Sequence, residues 1–100
     1  MTDADLPYAL TSHADVRTEM ASRYLQQLCK HFGHKIPAEC TPEAGTIRFP
    51  FGHCALNAAD GVLALDVTAA TEEDLQRMRG VIGSHLERFA FRDTPTIAWT

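Results

Sequence analysis

The sequence has no excess of positive charge and no long apolar run. It contains 9 Lys and Arg against 13 Asp and Glu, for a formal net charge of −4. This balance argues against a nucleic-acid partner, because such affinity comes largely from neutralised phosphates. No stretch approaches the roughly 18 consecutive apolar residues that span a bilayer. Residues 1–9 are acidic and predict a flexible lead-in without a signal peptide, so we expect no membrane partner.

Cysteine is scarce, and its spacing indicates neither a disulfide framework nor a thiolate zinc site. The sequence contains an odd number of cysteines, Cys29, Cys40 and Cys54, and none of them forms a C-x-x-C pair. We therefore expect three reduced thiols in a cytoplasmic protein. Cys29 beside Lys30 is the one candidate for a reactive thiol, because such a thiol needs an electropositive and partly open setting.

Catalytic signatures are missing as well. The sequence contains no Gly-rich phosphate loop. Its acidic cluster at residues 72–74 suits the first turn of a helix, where carboxylates complement the helix dipole. We therefore predict no catalytic residue, and no sequence motif indicates a cofactor. An enzyme that uses Cys29 or a histidine ranks below a binding module and below a structural module.

The composition is that of an ordinary globular protein, 45% hydrophobic and 22% charged, and the length predicts one domain over residues 1–100. Helical periodicity is strongest at residues 18–35, where Thr18 is the expected N-cap, and returns from Thr71 to about residue 89. The two apolar stripes consist of Ala21, Tyr24, Leu25, Leu28 and Phe32 in the first helix, and Leu75, Met78, Ile82, Leu86 and Phe89 in the second.

Alternating apolar and polar residues predict the strands. These segments are residues 10–17, 36–41, 46–51, 54–58, 62–68 and 96–100. The pair Asp60-Gly61 predicts a tight hairpin. The order β-α-β-β-β(-β)-α-β predicts an α+β two-layer sandwich, in which a mostly antiparallel sheet carries both helices on one face.

Each predicted helix places a histidine at the edge of its apolar stripe, with basic residues beyond it. If the helices pack side by side, these residues line one groove between them that binds an anion. The predicted ligand-binding residues are Arg23, Lys30, His31, His34, His85 and Arg88. The alternative is that the histidines hydrogen-bond to the backbone, while the basic residues are solvated or paired with acidic neighbours.

A metal ion is the weaker form of the same prediction. His31 and His34 are spaced i, i+3 and can face one ion, with His85, His53 or Cys54 as a further ligand. This H-x-x-H pair lacks the glutamate of the zinc-hydrolase helix motif. Adjacent residues of a strand point to opposite faces, which keeps His53 and Cys54 out of one common cluster.

Three blocks of the sequence are distinctive: RYLQQLCKHFGHK at residues 23–35, FPFGHC at residues 49–54 and SHLERFAFRD at residues 84–93. Together they resemble the bacterial family called domain of unknown function 2218, and the likeness extends over residues 11–99. The resemblance implies a small stand-alone domain, found also joined to flavin-dependent siderophore-interacting reductase domains. Its motifs fall on His31, His34, Cys54, His85 and Arg88, and imply no proven role for them.

The resemblance and the basic groove together predict a non-catalytic accessory or binding module of bacterial iron metabolism. Its partner would be a ferric siderophore or a siderophore-interacting reductase. The alternative is a structural or docking module without a ligand of its own. It would form a homodimer or dock on a reductase through the uncovered sheet face, near outward apolar residues such as Val62.

Overall fold

Five strands and two helices follow one another in the computed structural model, which describes residues 10–100. The predicted lead-in at residues 1–9 lies outside the described residues. The strands are β1 (Leu10–Arg17), β2 (Ala38–Cys40), β3 (Ala44–Phe49), β4 (Gly52–Ala59) and β5 (Val62–Ala69), and the helices are α1 (Ala21–Gly33) and α2 (Glu72–Phe89).

The strands form one antiparallel sheet in the order β1-β5-β4-β3-β2. Strands β3, β4 and β5 are a meander, and β1 pairs with β5 along its whole length. The turn between β4 and β5 has positive φ angles of 52° at Asp60 and 73° at Gly61, as a tight hairpin turn requires. The predicted α+β architecture is confirmed.

Both helices cover the same face of the sheet. Helix α1 lies over β2, β3 and β4, and α2 lies over β5, β1 and β4. Burial alternates along each strand because successive side chains point to opposite faces. The largest fully buried side chains come from both layers: Leu25, Leu28, Ile47, Leu63, Leu65, Met78, Ile82 and Leu86. Each stabilises the fold by about 1.5–3 kcal/mol relative to exposure to water.

The first helix begins later than its sequence predicts. Helix α1 starts after Met20, and no side chain caps it. The Thr18 hydroxyl accepts a hydrogen bond from the Met20 N–H at 3.0 Å and donates one to the Asp93 carboxylate. Thr18 therefore connects the start of α1 to the segment after α2. The prediction of Thr18 as the N-cap was wrong because it ignored this distant partner.

The predicted final strand at residues 96–100 is not a regular strand. Its pairing with β1 is confined to Thr100 and His13, where the Thr100 N–H donates to the His13 carbonyl at 2.9 Å. The Ser12 hydroxyl also donates to the Thr100 carbonyl, at 2.7 Å. Ile97 and Trp99 pack instead against the core, so the segment reaches the edge of the sheet only at Thr100 and forms no ladder with β1.

The expectation of three reduced thiols was wrong for two of them. Cys29 of α1 and Cys40 of β2 form a disulfide, with Cα atoms 6.4 Å apart. Cys54 is free and buried, and burial raises the pKa of its thiol to about 12. The cytoplasmic expectation rested on reduced thiols, and the disulfide removes that support.

Neither helix within residues 10–100 has the length and apolar character that a membrane-spanning segment needs.

The two layers approach most closely at Gly52, the first residue of β4. A Cβ atom there would lie 2.5 Å from the Thr68 carbonyl oxygen and 2.7 Å from the Met78 Cγ. Real Cβ atoms do not tolerate such distances, so one of these groups would have to move. Glycine at position 52 is therefore a requirement of the contact between α2 and the sheet.

Gly52→Ala is expected to lower the free energy of unfolding by about 1–3 kcal/mol, because the added methyl group overpacks the core. Urea denaturation followed by circular dichroism measures this change. Gly80→Ala is the matched control: Gly80 is exposed on α2 and a Cβ there meets nothing within 4 Å. That substitution should stabilise the helix by about 0.5–1 kcal/mol. Equal stability of the two variants would contradict the packing described.

Candidate functional site

The two helices bring His31 and His85 into contact. Their ring centroids are 4.9 Å apart. The His31 ring also lies 5.6 Å from that of Phe89, and the His85 ring lies 4.8 Å from that of Phe32. The two imidazoles therefore belong to one aromatic cluster at the point where α1 and α2 meet.

His85 is oriented by its own helix. Its Nδ1 lies 2.7 Å from the Val81 carbonyl oxygen, one turn earlier. Because a carbonyl can only accept, Nδ1 carries the hydrogen, and in the neutral ring Nε2 is left as the acceptor. His85 thus matches the alternative in which a histidine of this region hydrogen-bonds to the backbone.

The surroundings of His31 favour the neutral form of its imidazole. Removal from water lowers its pKa below the ordinary 6.5, and the nearby positive charges of His85, Arg88, His34 and Lys35 lower it further. A neutral imidazole can contact the neighbouring rings without a charge being removed from water. Near neutral pH, His31 therefore acts as an aromatic and hydrogen-bonding group rather than as a cation.

A groove of about 570 Å³ opens beside this cluster, within the size range of sites for small molecules. It lies between the C-terminal end of α1, the turn from β3 to β4, and the flank of α2. The lining residues are mainly apolar or aromatic: His31, Phe32, His34, Lys35, Ile36, Phe49, Pro50, Phe51, Arg77 and Val81. We call this surface the aromatic groove.

Aromatic rings in contact with one another form the wall of the aromatic groove. The Phe32 and Phe49 rings are 4.9 Å apart, and the Phe49 and Phe51 rings are 5.3 Å apart. The Arg77 guanidinium lies over the Phe51 ring, with Cζ 4.1 Å from the ring centroid. This cation–π contact holds a positive charge at the rim.

The charged groups of the aromatic groove have one sign. Lys35 and Arg77 are basic residues, whereas no lining side chain within residues 10–100 is a carboxylate. Flat apolar walls stack well with a planar ligand, and guanidinium and ammonium groups attract anions. The arrangement suits an anionic ligand that has an aromatic part.

The predicted site residues do not all lie together. His31 and His34 line the aromatic groove, His85 packs behind it, and Arg88 is close enough to influence His31. Arg23 and Lys30 line a different depression of about 560 Å³ along the exposed side of α1, which also contains Glu19. The helices therefore do not gather all six residues in one groove.

Eight of the ten groove-lining residues were absent from the predicted set, among them Lys35, Phe49, Phe51 and Arg77. The two phenylalanines had the simpler interpretation of core residues, and Phe49 is indeed buried. Arg77 had no interpretation at all. A usable signal existed, because Arg77, Val81 and His85 recur every four residues and so share one side of α2 beside its buried stripe.

The metal form of the prediction finds no ligand cluster. Within residues 10–100, no group of three His, Cys, Asp or Glu side chains is placed to hold a metal ion. His31 and His85 supply two neighbouring imidazoles, and the Nδ1 of His85 already donates to a carbonyl. Cys54 is buried in the core while His53 is half-buried on the opposite side of β4, as their adjacency predicts.

The uncovered face of the sheet carries a separate titratable cluster. His13 Nδ1 lies 2.6 Å from Asp66 Oδ1, and His13 Nε2 lies 2.8 Å from Asp15 Oδ1. The hydrogen bonds to Asp66 and then Asp15 raise the pKa of His13 above 6.5, against a small opposing effect of burial. Sequence reasoning missed this cluster because Asp66 reaches His13 through the pairing of β5 with β1.

Comparison with known proteins identifies relatives of this chain. The model of a family described as an uncharacterized protein conserved in bacteria (DUF2218) matches residues 13–100. The NMR structure of PA4090 from Pseudomonas aeruginosa is similar, with 40% sequence identity and a TM-score of 0.77, over 90% of this chain and 94% of that one. No curated protein matches.

We expect His13 and His31 to titrate on opposite sides of pH 6.5. The raised pKa of His13 contributes stability that is complete below pH 6.5 and is lost as the pH rises through the raised value. The lowered pKa of His31 contributes stability that is complete above pH 6.5 and is lost as the pH falls through the lowered value. NMR titration of the imidazole Cε1–H signals measures both midpoints.

Two variants test the causes of these shifts. Asp66→Asn should lower the pKa of His13 and leave that of His31 unchanged, while His85→Gln should raise the pKa of His31 and leave that of His13 unchanged. Coincident midpoints for His13 and His31 in the wild-type protein would contradict the described environments.

Proposed function

We propose that this chain, which belongs to the bacterial family DUF2218, is a binding module without chemistry of its own. Its ligand would be an anion with a flat aromatic part, held in the aromatic groove. Ferric siderophores of the catecholate type are the ligand class that combines these properties. The observation that carries the proposal is that aromatic rings in mutual contact and side chains of positive charge line a single groove.

The phenylalanine rings of the aromatic groove support binding of the aromatic part of this ligand. Phe32 and Phe51 are half-buried, so each has part of its ring surface still open. Covering apolar surface contributes about 25 cal/mol per Å², and a favourable ring–ring geometry adds about 0.5–1.5 kcal/mol. A planar ligand therefore gains affinity here that an aliphatic anion of the same charge would not gain.

The basic side chains of the aromatic groove support binding of the anionic part of the ligand. Arg77 is fixed over Phe51, and a fixed guanidinium loses less conformational freedom on binding than a free one. Lys35 lies on the same groove. A locally positive cleft attracts anions even on a protein whose net charge is −4.

A ferric siderophore also fits the absence of a metal-ligand cluster within residues 10–100, because the siderophore itself supplies all the iron ligands. The link to siderophore-interacting reductases comes from the resemblance of the sequence blocks, and it gives the proposed module a cellular context. In that context the module would hold the ferric complex while a partner reduces the iron.

A docking function for the uncovered sheet face is a weaker candidate. Within residues 10–100 the large exposed apolar side chains are Leu10, Met20 and Phe91. Met20 and Phe91 lie outside the strands. Leu10 lies in β1, but its side chain points to the face opposite that of Thr11, and Thr11 points to the uncovered face. None of them forms an apolar patch at the centre of that face, so no specific observation favours a dimer there.

Arg77→Gln is expected to weaken binding of ferric tris(2,3-dihydroxybenzoate) by about tenfold to a hundredfold, because a charge-assisted contact contributes about 1.5–3 kcal/mol. Isothermal titration calorimetry on the full chain measures the dissociation constant. The matched control is Arg23→Gln, which also removes one exposed arginine from a helix but lies on the other depression. It should leave the affinity unchanged.

Two results would refute this proposal. One is the absence of saturable binding by the wild-type protein. The other is an equal loss of affinity in Arg23→Gln and Arg77→Gln, which would mean that only the overall charge matters.

A further inference from the structure

The Cys29–Cys40 disulfide encloses a large part of the aromatic groove. The two cysteines are 11 residues apart in the sequence. Five of the ten groove-lining residues belong to the segment between them: His31, Phe32, His34, Lys35 and Ile36. The disulfide therefore constrains the segment that supplies half of the groove.

Few backbone hydrogen bonds hold the far end of this segment, although Ile36 and Ala38 pack against the core. Strand β2 has three residues, lies at the edge of the sheet and pairs only with β3. Before it, the Arg48 N–H donates to the Pro37 carbonyl at 2.9 Å. A short edge strand is the kind of element that opens locally at low cost, so the covalent link to α1 matters here.

The sheet leaves room for the disulfide at Gly45. This residue of β3 is paired with Cys40. A Cβ atom on Gly45 would lie 2.9 Å from both the Cys29 and the Cys40 sulfur atoms. Both sulfurs therefore rest on the one side-chain-free position of the neighbouring strand, and the bridged arrangement is built into the packing of β3.

The disulfide is also within reach of a reductant. Cys40 is exposed, whereas Cys29 is only 5% exposed. Surface depressions of about 350 Å³ and 410 Å³ lie on its two sides, the first lined by both cysteines and Lys30, the second by Cys40 and Gly45. Lys30 favours an attacking thiolate and a departing one, because both are anions.

We infer that the Cys29–Cys40 pair is a reversible redox site that takes electrons from a dithiol reductant and thereby controls the aromatic groove. The reductant thiolate attacks the Cys40 sulfur, the Cys29–Cys40 bond breaks, and Cys29 leaves as a thiolate that is then protonated. The second thiol of the reductant attacks the mixed disulfide and releases Cys40. The reductant becomes a disulfide, and the protein gains two electrons and two protons.

Reduction loosens the groove segment and leaves the sheet intact. A disulfide acts chiefly by restricting the open states of the loop that it closes, so its loss increases the open population of residues 29–40. Two hydrogen bonds report on that opening directly: the Lys35 and Ile36 N–H groups both donate to the Phe32 carbonyl, at 3.0 Å each. The consequence for ligand affinity rests on the function proposed above.

Amide hydrogen exchange on the full chain tests the redox site without any ligand. Protein purified without reductant should contain one free thiol, that of Cys54. Reduction with dithiothreitol should raise the count to three and accelerate exchange at Lys35 and Ile36 by about tenfold. Three free thiols before reduction, or unchanged exchange at Lys35 and Ile36, would overturn the inference.

Variants separate the disulfide from general effects of the reductant. The Cys29→Ser/Cys40→Ser double variant should exchange as the reduced protein does, with or without dithiothreitol. Cys54→Ala is the matched control, because it removes a cysteine outside the disulfide and should keep the full response. A double variant that exchanges like the oxidised protein would overturn the inference. If that variant does not fold, the reduced wild-type protein provides the same comparison.

Binding of gallium(III) tris(2,3-dihydroxybenzoate), whose metal is not reduced by thiols, links the redox site to the groove. After anaerobic removal of dithiothreitol, the reduced protein should bind this probe at least about threefold more weakly than the oxidised protein. Equal affinity with unchanged exchange refutes the redox control and leaves the proposed function standing. No binding in either state, together with faster exchange on reduction, refutes the proposed function and supports the redox site.

Discussion

The contact between Met78 and the backbone of Gly52 sets the height of α2 above the sheet. With a side chain at position 52 the helix would stand further out, and the rest of its surface would move with it. Arg77, next to Met78, lies over Phe51, and His85, two turns further on, meets His31 of α1. One wall of the aromatic groove is thus a consequence of how the core is packed.

The sequence was informative wherever the relevant interaction repeats along one element. The apolar periods of α1 and α2 predicted both helices, and the Asp60-Gly61 pair predicted the hairpin, because each records a local preference or one buried face. Prediction failed where a residue's partner is distant in the chain. Thr18 bonds to Asp93, and Cys29 to Cys40. No spacing rule reveals such pairs before the topology is known.

The residues of the candidate site show the same difference: those placed by the pattern of one helix were predicted, and those that depend on a distant partner were not. The meeting of His31 and His85 followed from their place at the edges of two apolar stripes, once both helices covered one face. Arg23 and Lys30 also lie next to an apolar stripe, yet a helix has two flanks and only one of them faces α2. Arg77 was missed because a basic residue on a predicted helix has no preferred partner until the neighbouring strand turn, with Phe51, is placed beneath it.

The two edge strands of the sheet, β1 and β2, hinder the addition of a further strand for different reasons. Along β1, the main-chain N–H and carbonyl of His13 already bond to Thr100, and the Ser12 hydroxyl donates to the Thr100 carbonyl. Strand β2 offers only three residues, and Cys40 ties it to the helix layer. A sheet whose margins are short or already occupied is a poor template for another chain. Addition of a further strand at the β2 edge is therefore disfavoured, and at the β1 edge it would have to displace Thr100 from His13.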